Sequence, residues 1–220
     1  MDLYPLALSF QIAVAATALA AVVGTAFAIL LAGKRFPGRE MLDAILTAPL
    51  IMPPTVLGYY LLVVLGHRSF LGKLYESITG SRILFTKTGV VIAATIGALP
   101  FVVKSARAAL EGVDPTLVRA ARTLGAGPAR AFFTVHLPLA ARGIIAGLML
   151  AFARSLGDFG LTLVVGGDIP GETQTASISI YDMIQAQKDV QALGLVVVFT
   201  AIALVTLYTV NKLTGHRDVL

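Results

Sequence analysis

Between Asp2 and Lys34 the sequence runs for 31 residues, Leu3 to Gly33, without one charged side chain. About 20 predominantly apolar residues suffice to cross a bilayer as an α-helix, so this run is long enough to span with tilt or to extend beyond the hydrocarbon. The feature recurs. Ala44–Gly66 is an uncharged run of 23 residues and Val190–Asn211 one of 22. Thr88–Val103 is a run of 16, which Lys104 and Arg107 can extend toward Leu110 by snorkelling to the interface. A fifth stretch, Gly143 to about Val165, is interrupted only by Arg154 and Asp158. Hydrophobic residues make up 57% of the 220 and charged residues 13%, against roughly 45–50% and about 25% in a soluble domain. A globule of this size could not bury that surplus. The expected fold is all-α and integral to the membrane, one domain over residues 1–220 with about five spans. The first run is too long for a signal-peptide core and lacks a basic leader, so it reads as a retained span.

Basic residues give the orientation. With the amino terminus outside, eleven Lys and Arg lie in inside segments, among them Lys34, Arg35, Arg39, Lys104, Arg107, Arg142, Lys212 and Arg217. Five lie outside: Arg68, Lys73, Arg82, Lys87 and Lys188. The bias places the amino terminus outside and the carboxyl terminus in the cytoplasm. It also accounts for the net charge of +5, so no nucleic-acid partner is expected.

Several residues within the spans break the helical pattern. Pro49, Pro53 and Pro54 fall in the second run, where each removes a backbone hydrogen bond and kinks the helix. Thr55 follows them, and the prolines fit a kink as well as they fit the lining of a pathway. Arg154 and Asp158, four apart on one helical face, read as an ion pair at depth. Gly157 and Gly160 around Asp158 and Phe159 predict a break where the chain turns across a pore, which makes this stretch a candidate outer gate. Gly24, Gly143 and Gly147 read as points of close helix packing. Thr173, Gln174 and Thr175 could donate hydrogen bonds to an oxyanion but read more readily as ordinary polar residues of an exposed loop, and Ala176–Gln187 reads as a short amphipathic helix on the outer face.

The longest inside loop, Lys104 to Arg142, holds the most specific pattern. Asp114 can cap a helix whose first position is Pro115. Leu117, Ala121 and Leu124 then recur at helical spacing, and Gly125 fits a helix stop. Pro128 opens a second short helix, Ala129 to about His136, that exposes Phe132 and Phe133 and ends at Leu137-Pro138. Residues 111–138 therefore predict a cytoplasmic two-helix knob, a feature with no purpose unless something docks on it.

Catalytic patterns are absent. The sequence holds no Gly-x4-Gly-Lys-Ser/Thr, no Gly-x-Ser-x-Gly and no His-Glu-x-x-His. It holds no cysteine, and His67, His136 and His216 lie far apart, so neither a disulfide nor a metal site is expected. The chain is not expected to be an enzyme, and if ATP drives it the energy must enter through another subunit.

Arg119-Ala120-Ala121, three residues, Gly125, nine residues, then Val135-His136-Leu137-Pro138 resembles the EAA loop of ABC-importer permeases. Spacings, both alanines, the glycine and Leu-Pro match; Arg119 replaces the family's Glu, and Val135 its Ile. The resemblance implies that Arg119, Ala120, Ala121, Leu124, Gly125, Leu137 and Pro138 form the coupling surface for a cytoplasmic ATPase. The charge reversal means that no salt bridge of the family's Glu is carried over. Pro53-Pro54-Thr55-Val56-Leu57-Gly58-Tyr59-Tyr60, Phe152 to Gly160, and Ile169 to Thr175 look like the molybdate-importer branch, with Asp158 where Glu is usual. Sulfate and tungstate permeases share the docking loop.

That likeness covers almost the whole chain. It implies a type I importer permease in the bacterial inner membrane, working as a homodimer with two ATPase subunits and an extracytoplasmic molybdate-binding protein. ATP and Mg would be held by the ATPase and no cofactor by this chain. Residues Pro53, Pro54, Thr55, Arg154, Asp158, Phe159 and Gly160 would line or gate the pathway. The competing class is a self-contained secondary transporter or channel. Such a carrier usually shows internal repeats and dispersed buried ionisable groups, and no motif here occurs twice.

Overall fold

A computed structural model describes residues 3–33 and 36–214. Lys34, Arg35, His216 and Arg217 lie outside the described residues. All regular secondary structure among the described residues is helical: α1 Tyr4–Ala32, α2 Arg39–Thr47, α3 Pro54–Leu65, α4 Phe70–Thr79, α5 Lys87–Glu111, α6 Pro115–Thr123, α7 Pro128–Ala131, α8 Leu137–Leu156, α9 Gly160–Gly166, α10 Ala176–Gln185 and α11 Asp189–Thr214. Four helices among the described residues are long and apolar enough to cross a membrane: α1, α5, the continuous helix Pro128–Leu156, and α11. A fifth span exists only if the bent pair Arg39–Leu50 and Pro54–Leu65 counts as one.

The organising element is α5. Its alanine-rich face packs in register along α1: Leu8, Ile12 and Ala16 against Val90 and Ala94, then Ala20 against Ala98 and Val102, then Ala28 against Ala106 and Leu110. Both series rise together, so the two helices run parallel. On another side α5 meets α8, which runs the opposite way. A Cβ on Gly143 would lie 2.5 Å from Ala109 Cβ, and one on Gly147 2.6 Å from Ser105 Cβ. These small residues let two backbones approach where lipid supplies no hydrophobic drive, as their spacing predicts. Gly147→Leu should therefore destabilise the bundle by about 1–3 kcal/mol through overpacking. The check is a lower thermal midpoint in detergent than for Leu150→Ala, since Leu150 is exposed.

Three local features depart from the sequence reading. The prolines of the second run do more than kink it: its two halves are bent by 114°. Pro53 and Pro54 together deny the chain two consecutive N–H donors, and Pro54 restarts a helix at its first position. Leu137-Pro138 ends no helix. Phe132–His136 adopts a π-helical turn that leads straight into α8, and this widened turn makes room for a proline ring in a continuous helix. Phe132 is accordingly not presented outward but packs against the core cluster that includes Leu110 and Ala140, while Phe133 stays exposed. The helix α4, between the second and third apolar runs, also goes beyond the sequence reading; Ser69, whose hydroxyl accepts from Gly72 N–H at 2.8 Å, and Gly80 with φ +70° are its start and stop signals.

Candidate functional site

The pathway residues named from sequence come from two distant stretches, and the structure brings them together. The helix Pro128–Leu156 stops at Leu156, and after Gly157-Asp158-Phe159 the chain resumes as α9. Arg154 lies beside Gly97 of α5, with Nη2 3.8 Å from where a Gly97 Cβ would stand. Gly97 is the eleventh of 25 residues in α5, roughly 15 Å along a helix of about 37 Å. The break thus falls near the middle of the bundle. From there α9 continues along α5 toward its amino-terminal end, with Val165 beside Gly89 and Gly166 against Val90.

The second break meets the first. A Cβ on Gly160 would lie 2.7 Å from Pro54 Cβ, and one on Gly58 2.7 Å from Val164 Cγ1. So α3 starts at Pro54 at the level where α9 starts at Gly160, and the two helices pack side by side in parallel, sealed by Leu57, Leu61 and Leu65 with Leu161 and Val165. Two interrupted helices sharing one level is an arrangement that bilayer physics permits only where protein or water satisfies the freed backbone groups. Pro53, Pro54 and Thr55 are exposed, and Phe159 and Gly160 are half-buried, with the Phe159 ring 5.1 Å from that of Tyr181 at a tilt of 50°.

Asp158 holds the break. It is buried, and Arg154 Nη1 donates to its Oδ1 at 2.6 Å. Its Oδ2 accepts the Thr162 backbone N–H at 2.9 Å, which is one of the free amides of the first turn of α9. Thr162 Oγ1 donates to Phe159 O at 3.0 Å. One carboxylate therefore ties the last turn of one helix to the first turn of the next. The expected ion pair is present; Thr162 as the third member was not foreseen, and an Asp four residues before a Thr in a glycine-flanked break was its signal.

Thr173, Gln174 and Thr175 are not polar residues of an exposed loop. Thr173 and Thr175 are buried, and Thr173 Oγ1 donates to Gly166 O at 2.9 Å. Gln174 Nε2 donates to Asp168 Oδ1 at 2.8 Å and Asp182 Oδ2 at 2.9 Å. The hydrogen bond that the protonated Asp182 carboxyl donates to Asp168, with burial, holds Asp182 above the usual carboxylate range. Thr173 and Gln174 thus fasten the α9–α10 connection internally, whereas the buried Thr175 hydroxyl has no partner among the described residues.

The two-helix loop sits at the opposite end of α5. Asp114 Oδ1 accepts the Thr116 N–H at 2.8 Å, capping α6, and this bond holds its carboxyl below the ordinary range. At the other end Gly125, φ +89°, donates to Arg122 O and Ala126 N–H donates to Ala121 O, both at 3.1 Å, the paired bonds of a glycine-terminated helix. Arg119, Ala120 and Leu124 are exposed, Leu124 at 88%, while Ala121 is half-buried. Leu137 is half-buried and Pro138 exposed in the continuing helix.

Both ends of this loop are fastened to the bundle. His136 Nε2 lies 3.0 Å from Leu110 O. Arg39 and Arg107 both bond Glu111, and Lys104 and Arg107 both bond Asp43, at 2.8–3.1 Å. This ion network joins α2 to α5 across more than 60 residues of sequence. No pattern within one segment announced it.

Residues 24–212 match the family described as binding-protein-dependent transport system inner membrane component. The molybdenum transport system permease protein ModB of Escherichia coli K12 is 44% identical over 201 residues, covering 91% of this chain and 88% of that protein. The sulfate transport system permease protein CysT of Salmonella typhimurium is 32% identical, covering 89% and 70%. Among solved structures, a bacterial ABC transporter that imports the acidic polysaccharide alginate superimposes with a TM-score of 0.69 at 16% identity, covering 96% of this chain and 79% of that one. That likeness establishes the fold.

Proposed function

Because the chain belongs to the family of inner membrane components of binding-protein-dependent transport systems, we propose that it is the permease subunit of an ATP-driven molybdate importer. The observation that carries the ion is the likeness to a molybdenum permease at 44% identity over nearly the whole chain, against 32% for a sulfate permease. Tungstate, of nearly the same size and charge, is transported by the same route in this reading. A sulfate importer is the second reading, since sulfate permeases carry the same loop.

Two copies share one pathway, because so few spans enclose too little for a sheltered route across about 30 Å of hydrocarbon. The amino terminus is extracytoplasmic and the carboxyl terminus cytoplasmic. A partner ATPase, two copies per assembly, binds ATP and Mg and receives the exposed face of α6 with Leu124; an extracytoplasmic binding protein delivers the anion. ATP binding draws the ATPases together and shifts α6. His136–Leu110 and the ion network on Glu111 and Asp43 pass that shift to α5 and α2. The paired breaks at Pro53-Pro54 and Gly157–Gly160 then open outward, and hydrolysis restores the inward state. ATP and anion move this equilibrium only by binding its two states unequally.

Gentle purification from native membranes tests the assembly. A stoichiometric ABC ATPase should accompany the chain. Recovery of a lone chain that transports without ATP would overturn the reading in favour of a secondary carrier.

A further inference from the structure

Arg154 presents an unusual arrangement for a cation near the middle of a membrane bundle. Its side chain is 32% exposed, and its partner Asp158 only 2%. One N–H of the guanidinium, on Nη1, is used on Asp158. Both Asp158 oxygens are then occupied, the second by Thr162 N–H, so the carboxylate has no oxygen left free of a donor. The remaining guanidinium donors have no hydrogen-bond partner among the described residues. On the α5 side Gly97 lets the guanidinium and Leu161 pack close, since a Cβ there would lie 3.1 Å from Leu161 Cδ1 and 3.8 Å from Arg154 Nη2.

An exposed guanidinium with free donors cannot face lipid tails at this depth without heavy cost. Its open side must face water or protein within the transport assembly. The pair's geometry suits a particular task. Guanidinium donors match tetrahedral oxyanions through charge-assisted hydrogen bonds. An unpaired arginine would hold a divalent anion too firmly for passage, whereas a carboxylate fixed at 2.6 Å offsets most of that charge. We propose that Arg154 is the transit contact for the oxyanion in the translocation pathway, and that Asp158 is the positioning residue that orients it and limits its hold. This rests on the reading of the chain as an oxyanion permease.

The test exploits the absence of cysteine from the sequence. Arg154→Cys, in the assembled complex with its ATPase in vesicles, places one thiol per copy of the chain at the site. Uptake of molybdate should fall at least about tenfold, the loss of one charged hydrogen-bond contact. Treatment with 2-aminoethyl methanethiosulfonate forms a mixed disulfide as methanesulfinate leaves, and installs an ammonium group. Uptake should recover at least about threefold, well under one charged contact. The 2-sulfonatoethyl reagent should restore nothing, and millimolar molybdate should slow both reactions. The cysteine-free permease in the same complex, treated alike, accounts for thiols of the ATPase.

Because the single substitution strands a buried carboxylate, Arg154→Cys/Asp158→Asn provides the same labelling and protection readout without that charge. Failure of the thiol to react in either assembled variant, undiminished uptake by Arg154→Cys, or equal recovery with both reagents would overturn the assignment. The parent reading fails separately. If the unaltered complex ignores molybdate but sulfate protects the thiol, the ion assignment falls and Arg154 stands.

Discussion

Gly125→Pro is expected to cut ATP-dependent uptake at least about tenfold, a loss of 1.4 kcal/mol or more in coupling, while the spans remain inserted. At φ +89° and with its N–H bonded to Arg122 O, position 125 needs two properties that proline lacks, since its ring fixes φ near −65° and removes the donor. Losing this turn frees α6 from the angle at which Ala121 O receives Ala126 N–H, so the exposed face carrying Arg119, Ala120 and Leu124 no longer meets a partner as one surface. Gly125→Ala keeps the N–H and pays only the left-handed strain of about 1–2 kcal/mol, so it should lie between the two. Uptake per inserted permease, measured with the amount of ATPase recovered alongside it, checks both variants. Normal uptake by Gly125→Pro at normal expression would contradict a coupling role for this loop.

The second large effect belongs to the meeting of the two breaks. Gly160→Ala adds a methyl group 2.7 Å from Pro54 Cβ, a contact between two rigid groups that neither rotamer change nor a flexible chain end can relieve. The wedge should separate α9 from α3 at their shared starting level and lower uptake by about fivefold or more, the equivalent of the 1–3 kcal/mol typical of overpacking. Recovery of the ATPase should be unchanged, because the two-helix loop lies at the other end of α5. Gly157→Ala is the matched control. Its added Cβ meets only Ala153 O at an ordinary 3.6 Å, so uptake should stay near that of the parent. Equal behaviour of the two variants would remove the packed junction from the transport mechanism.

These expectations draw unequally on sequence and on structure. The spans were legible because a bilayer demands long uncharged runs, and α6 was legible because Asp114-Pro115 and Gly125 act on their own neighbours. Arg154 and Asp158 were paired from spacing alone, for the same reason. Leu137-Pro138 misled: a proline removes one donor, but a π-helical turn before it absorbs the ring, and that accommodation depends on Phe132 packing inward against α5. The shared level of the breaks was hidden as well. It depends on Gly160 touching Pro54 and Gly58 touching Val164, contacts between residues more than 100 apart. The burial of Thr173 and Thr175 followed from the same tertiary closure, in which Ser9 of α1 accepts the Ala176 N–H at 2.8 Å.

The proposed role as the pathway of an ATP-driven oxyanion importer is tested by radiolabelled molybdate uptake into vesicles carrying the chain, its ATPase and its binding protein, with and without ATP. Uptake should need all three proteins and ATP, and should be competed by tungstate and far less by sulfate. Accumulation that proceeds without ATP, driven by an ion gradient and by this chain alone, would contradict it.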